Sequence, residues 1–384
     1  SKENTKMTNN KSIAKKTYWP VLGIYLLIAF EFFYMASPFA IYFYSVYKPA
    51  LELLDKIPFL ANLTGFFLPH LVEDTHSVLL NSVKPFGLLI ASIGLLTFLV
   101  CAFQVYYSKI FRKGVVIGGL YRFIRHPQYL AFAICGFGLL LLWPRYLVLI
   151  MYISLLFAYY FLARYEEKEC IQKFGQPYIN YIQNTFMFFP IRFSILEGIR
   201  NNRWIINNKR LFTFGLYVSA ILFALLIAGG IKNFSIRELY TAEDMNSITL
   251  SVNEITHNEI EQIKDIAENN SSVGKYLNQI KLNDKMINYI YPAGMYVSEI
   301  PMTKPDDATN HILNKEYDSN LQAVLFTRAV SNNGDDKYGT EILANTIAVE
   351  PIIEVWVNLK EKNIVKILPP INVTRYKNIP VPVF

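Results

Sequence analysis

The sequence predicts an all-α polytopic membrane protein of about five transmembrane helices, followed by a C-terminal soluble α+β domain. Three observations lead there. Hydrophobic residues make up 53% of the 384 positions and charged residues only 17%, where an ordinary soluble domain carries about 25% charge. The apolar residues gather into long runs within residues 1–231. The charge is also divided: residues 1–231 hold 22 Lys+Arg against 10 Asp+Glu, whereas residues 232–384 hold 15 against 20. Two environments explain this division better than one uniformly basic protein. The expected organisation is a basic cytoplasmic tail over residues 1–17, a transmembrane domain over 18–231 and an extracytoplasmic domain over 232–384.

A helix needs about 20 residues to cross a hydrocarbon core of ~30 Å. Five apolar stretches are candidates: Tyr18–Val46, Pro85–Tyr107, Tyr129–Leu142, Tyr146–Ala163 and Leu211–Ile231. The first is interrupted by Glu31 and by Ser37-Pro38, so a kink is expected, and its length argues against a cleavable signal peptide. The third and fourth are short and meet at Trp143-Pro144-Arg145. That tripeptide reads as a tight turn joining an antiparallel hairpin. Between the first two spans, residues 48–84 carry only short apolar patches and are expected to lie along the outer interface.

Loop charges set the orientation. Lys2, Lys6, Lys11, Lys15 and Lys16 precede the first span. Lys109, Arg112, Lys113, Arg122 and Arg125 separate the second and third, and Lys168, Lys173, Arg192, Arg200, Arg203, Lys209 and Arg210 separate the fourth and fifth. Five spans put all three segments on one face, which the positive-inside rule makes cytoplasmic. The acidic C-terminal part then lies outside.

The same arrangement excludes nucleic acid as a partner, because the basic residues flank apolar segments and form no stripe. Cys101, Cys135 and Cys170 form neither a disulfide framework nor a CxxC metal pattern. In the C-terminal part, Asn258–Asn269 and Ser272–Lys281 have helical spacing, while Leu321–Val330, Ile347–Leu359 and Ile364–Val373 are rich in β-branched residues. Asp306-Asp307 and Asp335-Asp336 read as solvated turns, and His257 and His311 are isolated. No metal site is expected.

Chemistry is concentrated in Gly118–Pro190. Gly119-Leu120-Tyr121-Arg122-Phe123-Ile124-Arg125-His126-Pro127-Gln128-Tyr129 opens the third span, and Glu166-Glu167 with Phe174-Gly175-Gln176-Pro177-Tyr178 and Tyr181 follow the fourth. The hairpin returns both ends to one membrane face, so Arg125 and His126 meet the glutamate pair. Singly, each has a plainer reading: Arg122 and Arg125 as topological anchors, His126 as an interfacial histidine, the glutamates as a solvated helical turn, Tyr178 and Tyr181 as a packing stripe. Together they are a functional candidate, because acidic groups at a cytoplasmic membrane end serve no topological purpose.

This stretch resembles the isoprenylcysteine carboxyl methyltransferase and phospholipid methyltransferase superfamily of integral membrane proteins. The family's G-x-Y-x-x-x-R-H-P-x-Y element is filled by Gly119, Tyr121, Arg125, His126, Pro127 and Tyr129. Its E-E-x-x-L-x-x-x-F-G-x-x-Y-x-x-Y element, with a later proline, is filled by Glu166, Glu167, Phe174, Gly175, Tyr178, Tyr181 and Pro190. The chain departs at Cys170, where leucine is usual, at Ala131 for glycine and at Phe186 for proline. The fifth span and external domain are additions to the family core.

The resemblance implies methyl transfer from S-adenosylmethionine to a lipid or isoprenoid-type substrate reached from the bilayer. It implies Arg125, His126 and Glu167 as catalytic residues. It also implies Tyr121, His126, Pro127, Tyr129, Glu166, Glu167, Tyr178 and Tyr181 as cofactor-binding residues, with Arg125 holding a carboxylate of cofactor or substrate. The additions leave two other readings open: a non-catalytic methyltransferase-like subunit whose external domain docks onto a membrane complex, and a membrane anchor for an external binding domain.

Overall fold

A computed structural model describes residues 62–111, 114–188, 207–281, 284–293, 320–331 and 337–368, with 26, 29–30, 32–33, 35–42, 53, 60, 295, 318 and 383–384. The basic tail, most of the first expected span with Glu31, Arg112-Lys113, Pro190, Arg192, Arg200, Arg203, Asp306-Asp307, His311 and Asp335-Asp336 lie outside the described residues. Residues 35–42 of that span are helical.

Among the described residues, three helices are long and apolar enough to cross a membrane: Val78–Ile110, which contains α1 (Val83–Ile110), α3 (Tyr146–Phe174) and α5 (Lys209–Arg237). α2 (Pro127–Leu142) is a shorter apolar helix. Their outward faces carry side chains that water would not tolerate in such density: Leu96, Leu99 and Phe103 on α1, and Phe214, Phe223 and Leu226 on α5, are all more than half exposed. The fourth span, expected to end at Ala163, runs on unbroken to Phe174. Its 29 residues make a helix about 43 Å long, longer than the ~30 Å core. The last turns, with Glu166 and Glu167, project from the apolar portion as part of the same rigid helix.

By packing, the chain divides into two units, one of residues 1–44, 88–139 and 151–218, the other of 45–87, 140–150 and 219–384. In the first, α1 and α2 approach until backbone meets backbone. A Cβ added to Gly94 would lie 2.4 Å from the Cys135 nitrogen, so only glycine permits this contact. A ladder of rings fills the interior: Phe98 stacks on Phe132 at 3.7 Å, and Tyr129 on Tyr159 at 4.8 Å. Near-parallel and offset rings of this kind add to area burial.

The second unit is built on a six-stranded sheet in the order β1 (Thr241–Glu243), β2 (Ser247–Ser251), β3 (Met286–Pro292), β4 (Leu321–Ser331), β5 (Thr346–Asn358), β6 (Asn363–Leu368). Neighbours are antiparallel except β2 and β3, which run parallel. Their crossover carries α6 (His257–Glu268) and α7 (Ser271–Leu277). α6 starts at a capping box, Thr256 with Glu259, and buries Ile260, Ile263, Lys264 and Ala267 at helical spacing.

Both sheet faces are packed. Ile290, Val324, Phe326, Ile353 and Val355 face α6, while Ile287, Tyr289, Leu325 and Leu343 lie in the opposite cluster, Leu343 coming from α8 (Thr340–Asn345). Residues 62–76, expected along the outer interface, are folded into this unit. Leu71 and Val72 join its core, and the N–H groups of Glu73 and His76 donate to Val252 and Glu238. The Trp143-Pro144-Arg145 turn is clasped by the same segment: Phe67 N–H donates to Pro144 O at 2.9 Å and Arg145 Nη1 to Thr64 O at 2.5 Å.

Candidate active site

Gly119–Arg122 form a 3-10 turn, and Arg125-His126 lead into α2 at Pro127. Proline suits a helix start because its missing N–H would have no intrahelical partner there. Residues 185–187 come alongside. Ile124 and Phe186 pair as a parallel bridge, Phe186 N–H donates to Phe123 O at 3.0 Å, and Arg125 N–H donates to Phe186 O at 2.8 Å. The first of these needs a donor that proline lacks, so phenylalanine in place of the family's proline is built into the site. Gly175, at φ +64°, ends α3 and starts α4 (Gln176–Asn184) in a conformation that strains other residues. α4 then brings Tyr178 and Tyr181 back over the site.

Arg125 is the hub. Its Nε donates to Glu167 Oε1 at 2.7 Å and its Nη1 to Ile182 O at 3.0 Å and to Thr185 O. Arg125 and Glu167 side chains are 9% and 7% exposed, so this is a buried, hydrogen-bonded ion pair. Both Nε and Nη1 donate to groups of the protein itself.

His126 is buried, with Nδ1 3.3 Å from Glu166 Oε2 and Nε2 3.7 Å from Glu167 Oε1. These are charge contacts, since neither ring nitrogen makes a well-directed hydrogen bond among the described residues. Burial lowers the imidazole pKa, the two carboxylates raise it more, and the ring is held above its ordinary value. Tyr129 OH donates to Glu166 Oε1, Tyr121 OH to Gln128 Oε1 at 3.0 Å, and Tyr181 OH to Tyr121 O at 2.5 Å. Burial pushes the Tyr181 hydroxyl up to about 12 and raises Tyr121 and Tyr178 as well, so all three stay neutral donors.

Three cavities border this cluster, one of them, of about 610 Å³, touching Gln128, Glu166 and Tyr165; the other two bear on the chemistry. One, of about 530 Å³, is bordered by Tyr121, Arg125, His126, Glu166, Tyr178 and Tyr181, with Lys173 and Cys170. The other, of about 450 Å³, is almost wholly apolar, walled by Tyr129, Leu130, Ile134, Tyr152, Leu156 and Tyr159. Tyr129 thus borders the apolar cavity while its hydroxyl reaches Glu166 at the polar one. Glu167 and Pro127 line neither cavity. Sequence reasoning missed Gln128, Ile182, Thr185 and Lys173. Lys173 was read only as a topological charge, and Ile182 takes part through a backbone oxygen that no side chain advertises.

Long apolar helices and a buried Arg-Glu-His cluster beside a polar and an apolar cavity are the features of an integral membrane protein. Residues 88–176 match the family model of phospholipid methyltransferases, which belong to the superfamily the motifs resemble. The match covers under a quarter of the chain and is a similarity of that segment alone. It runs from α1 to the start of α4, so Tyr178 and Tyr181 fall just beyond it. No curated protein and no solved structure matches the chain.

Proposed function

We propose that the chain transfers a methyl group from S-adenosylmethionine to a lipid or isoprenoid-type substrate carrying a carboxylate or an amine. The observation that carries this reading is the pair of cavities, one polar and one apolar, linked through Tyr129, which borders the apolar one and donates its hydroxyl to Glu166 at the polar one. The polar cavity fits the cofactor chemically. The His126 ring nitrogens are buried polar atoms of the kind a bound polar group satisfies. Glu166, Tyr178 and Tyr181 can meet the ammonium and ribose hydroxyls, and Lys173 the carboxylate. When bound, the cofactor supplies an electrophilic methyl on a sulfonium.

The protein's own contribution is alignment and exclusion of water. Arg125 fixes Glu167, the glutamates fix His126, and the apolar cavity holds the hydrophobic part of the acceptor. Positioning of this kind is worth ~7–11 kcal/mol of barrier. A carboxylate acceptor needs no base. An amine acceptor must lose a proton, and the candidates to take it are His126 and the glutamates beside it.

The test is transfer of labelled methyl from the cofactor into the lipid extract of membranes holding the protein, followed across pH 6–9. Label in an apolar product is expected. Because the His126 pKa is raised, it is protonated at low pH and cannot accept a proton. With an amine acceptor the rate therefore rises as pH passes upward through that pKa, whereas a carboxylate acceptor gives no such rise. Absence of labelled product would favour the non-catalytic subunit whose external domain docks onto a complex.

The proposed topology has five spans, a cytoplasmic tail over 1–17, a membrane domain over 18–231 and an extracytoplasmic domain over 232–384, supported by the loop charges. Protease added to intact spheroplasts should digest the C-terminal domain and spare the Gly118–Tyr129 loop. A protected C-terminal domain would mean an even number of spans.

A further inference from the structure

We propose that α3 and α5 form a binding site for one anionic phospholipid, separate from the candidate active site. α5 is an addition to the family core, and its first part, up to Val218, lies in the first packing unit together with α3 from Met151 onward. Ser154 Oγ and Tyr217 OH lie 2.7 Å apart, and Phe157 sets its ring edge-on to Tyr217 at 5.2 Å. On the side toward the start of α5, a groove of about 600 Å³ opens between the two helices.

Helical spacing builds its walls. Ser154, Phe157, Ala158 and Phe161 form one stripe of α3, and Tyr217, Phe214, Thr213 and Arg210 form the facing stripe of α5. At 1.5 Å per residue the groove runs roughly 10–12 Å along α5 from Tyr217 to Arg210 and Lys209. Its walls are mainly aromatic and aliphatic, and its end carries two adjacent cations with no acidic residue among the described lining residues.

An amphiphile with an apolar tail and an anionic head matches both parts. The tail lies between Phe157, Ala158 and Phe214, and the phosphate sits at Lys209 and Arg210. Arg210 offers a planar fork of donors and Lys209 a mobile point charge. A zwitterionic phospholipid matches the groove equally well but gains less at the cations, because its headgroup carries no net charge. The selectivity therefore resides in the basic pair and the seat in the groove.

The purified full chain in detergent, given equal amounts of phosphatidylglycerol and phosphatidylcholine with identical acyl chains, should retain phosphatidylglycerol preferentially in native mass spectrometry. Lys209→Gln with Arg210→Gln should cut that preference about tenfold, in line with the attraction of basic residues to anionic lipid. Ala158→Trp, which plugs the groove and leaves both charges, should abolish retention. Arg237→Gln, at the other end of α5, should change nothing. The proposal is overturned if the parent shows no preference, or if the double variant keeps it. It is equally overturned if Ala158→Trp, with a parental size-exclusion profile, still retains the lipid, or if Arg237→Gln loses as much as the double variant.

Discussion

Arg125→Ala is expected to destabilise the protein by about 3 kcal/mol, because it takes from the buried Glu167 carboxylate its hydrogen-bonded partner. The loss is not confined to one bond. The same guanidinium ties α3 to the carbonyls of Ile182 and Thr185, and so holds the end of α4 against the loop before α2. Thermal unfolding in detergent should register it, and Arg125→Lys should recover only part, since a lysine cannot reproduce the forked contacts. A double variant, Arg125→Ala with Glu167→Ala, should lose clearly less than the sum of the two single variants, because no uncompensated charge remains. Strict additivity would show that the pair is not coupled.

The second large effect concerns ligand binding. Glu166 borders the polar cavity and is tied to His126 and Tyr129. Glu166→Gln and His126→Ala should each weaken S-adenosylmethionine binding ten- to hundredfold, the equivalent of roughly 1.5–3 kcal/mol for a lost charge-assisted hydrogen bond. Lys168→Gln, exposed on the same helix and bordering no described cavity, should stay within about 0.5 kcal/mol of the parent. Equal affinities in all four proteins would assign the glutamate and histidine to the fold alone.

Much of this site was legible because a short hairpin leaves few places for its two ends. Once Trp143-Pro144-Arg145 is read as a turn, Arg125 and His126 must return near Glu166 and Glu167, and the distances of 2.7, 3.3 and 3.7 Å bear out that juxtaposition. Which glutamate faces the cavity was not legible, since adjacent residues on a helix differ by only about 100° and the neighbours decide. The use of Arg125 as an internal clamp was equally hidden, because two of its partners are backbone oxygens.

In the C-terminal region the amphipathic α6 was found within a residue, as its buried positions keep the helical period. β4 and β5 were found from their β-branched runs. β3 was missed because the strand is buried on both faces, so Met286–Pro292 shows no alternation. Its buried Asn288, whose amide donates to Thr249 Oγ1 at 3.1 Å, argues locally for a loop. The merging of residues 62–76 with this unit depends on contacts more than a hundred residues apart, which no local pattern encodes.

The most direct test of the central claim is a calorimetric titration of the purified parent protein with S-adenosylmethionine and S-adenosylhomocysteine. The account predicts saturable binding of both in the micromolar range, about −8 kcal/mol at 1 μM. No heat and no thermal shift at millimolar cofactor would contradict it.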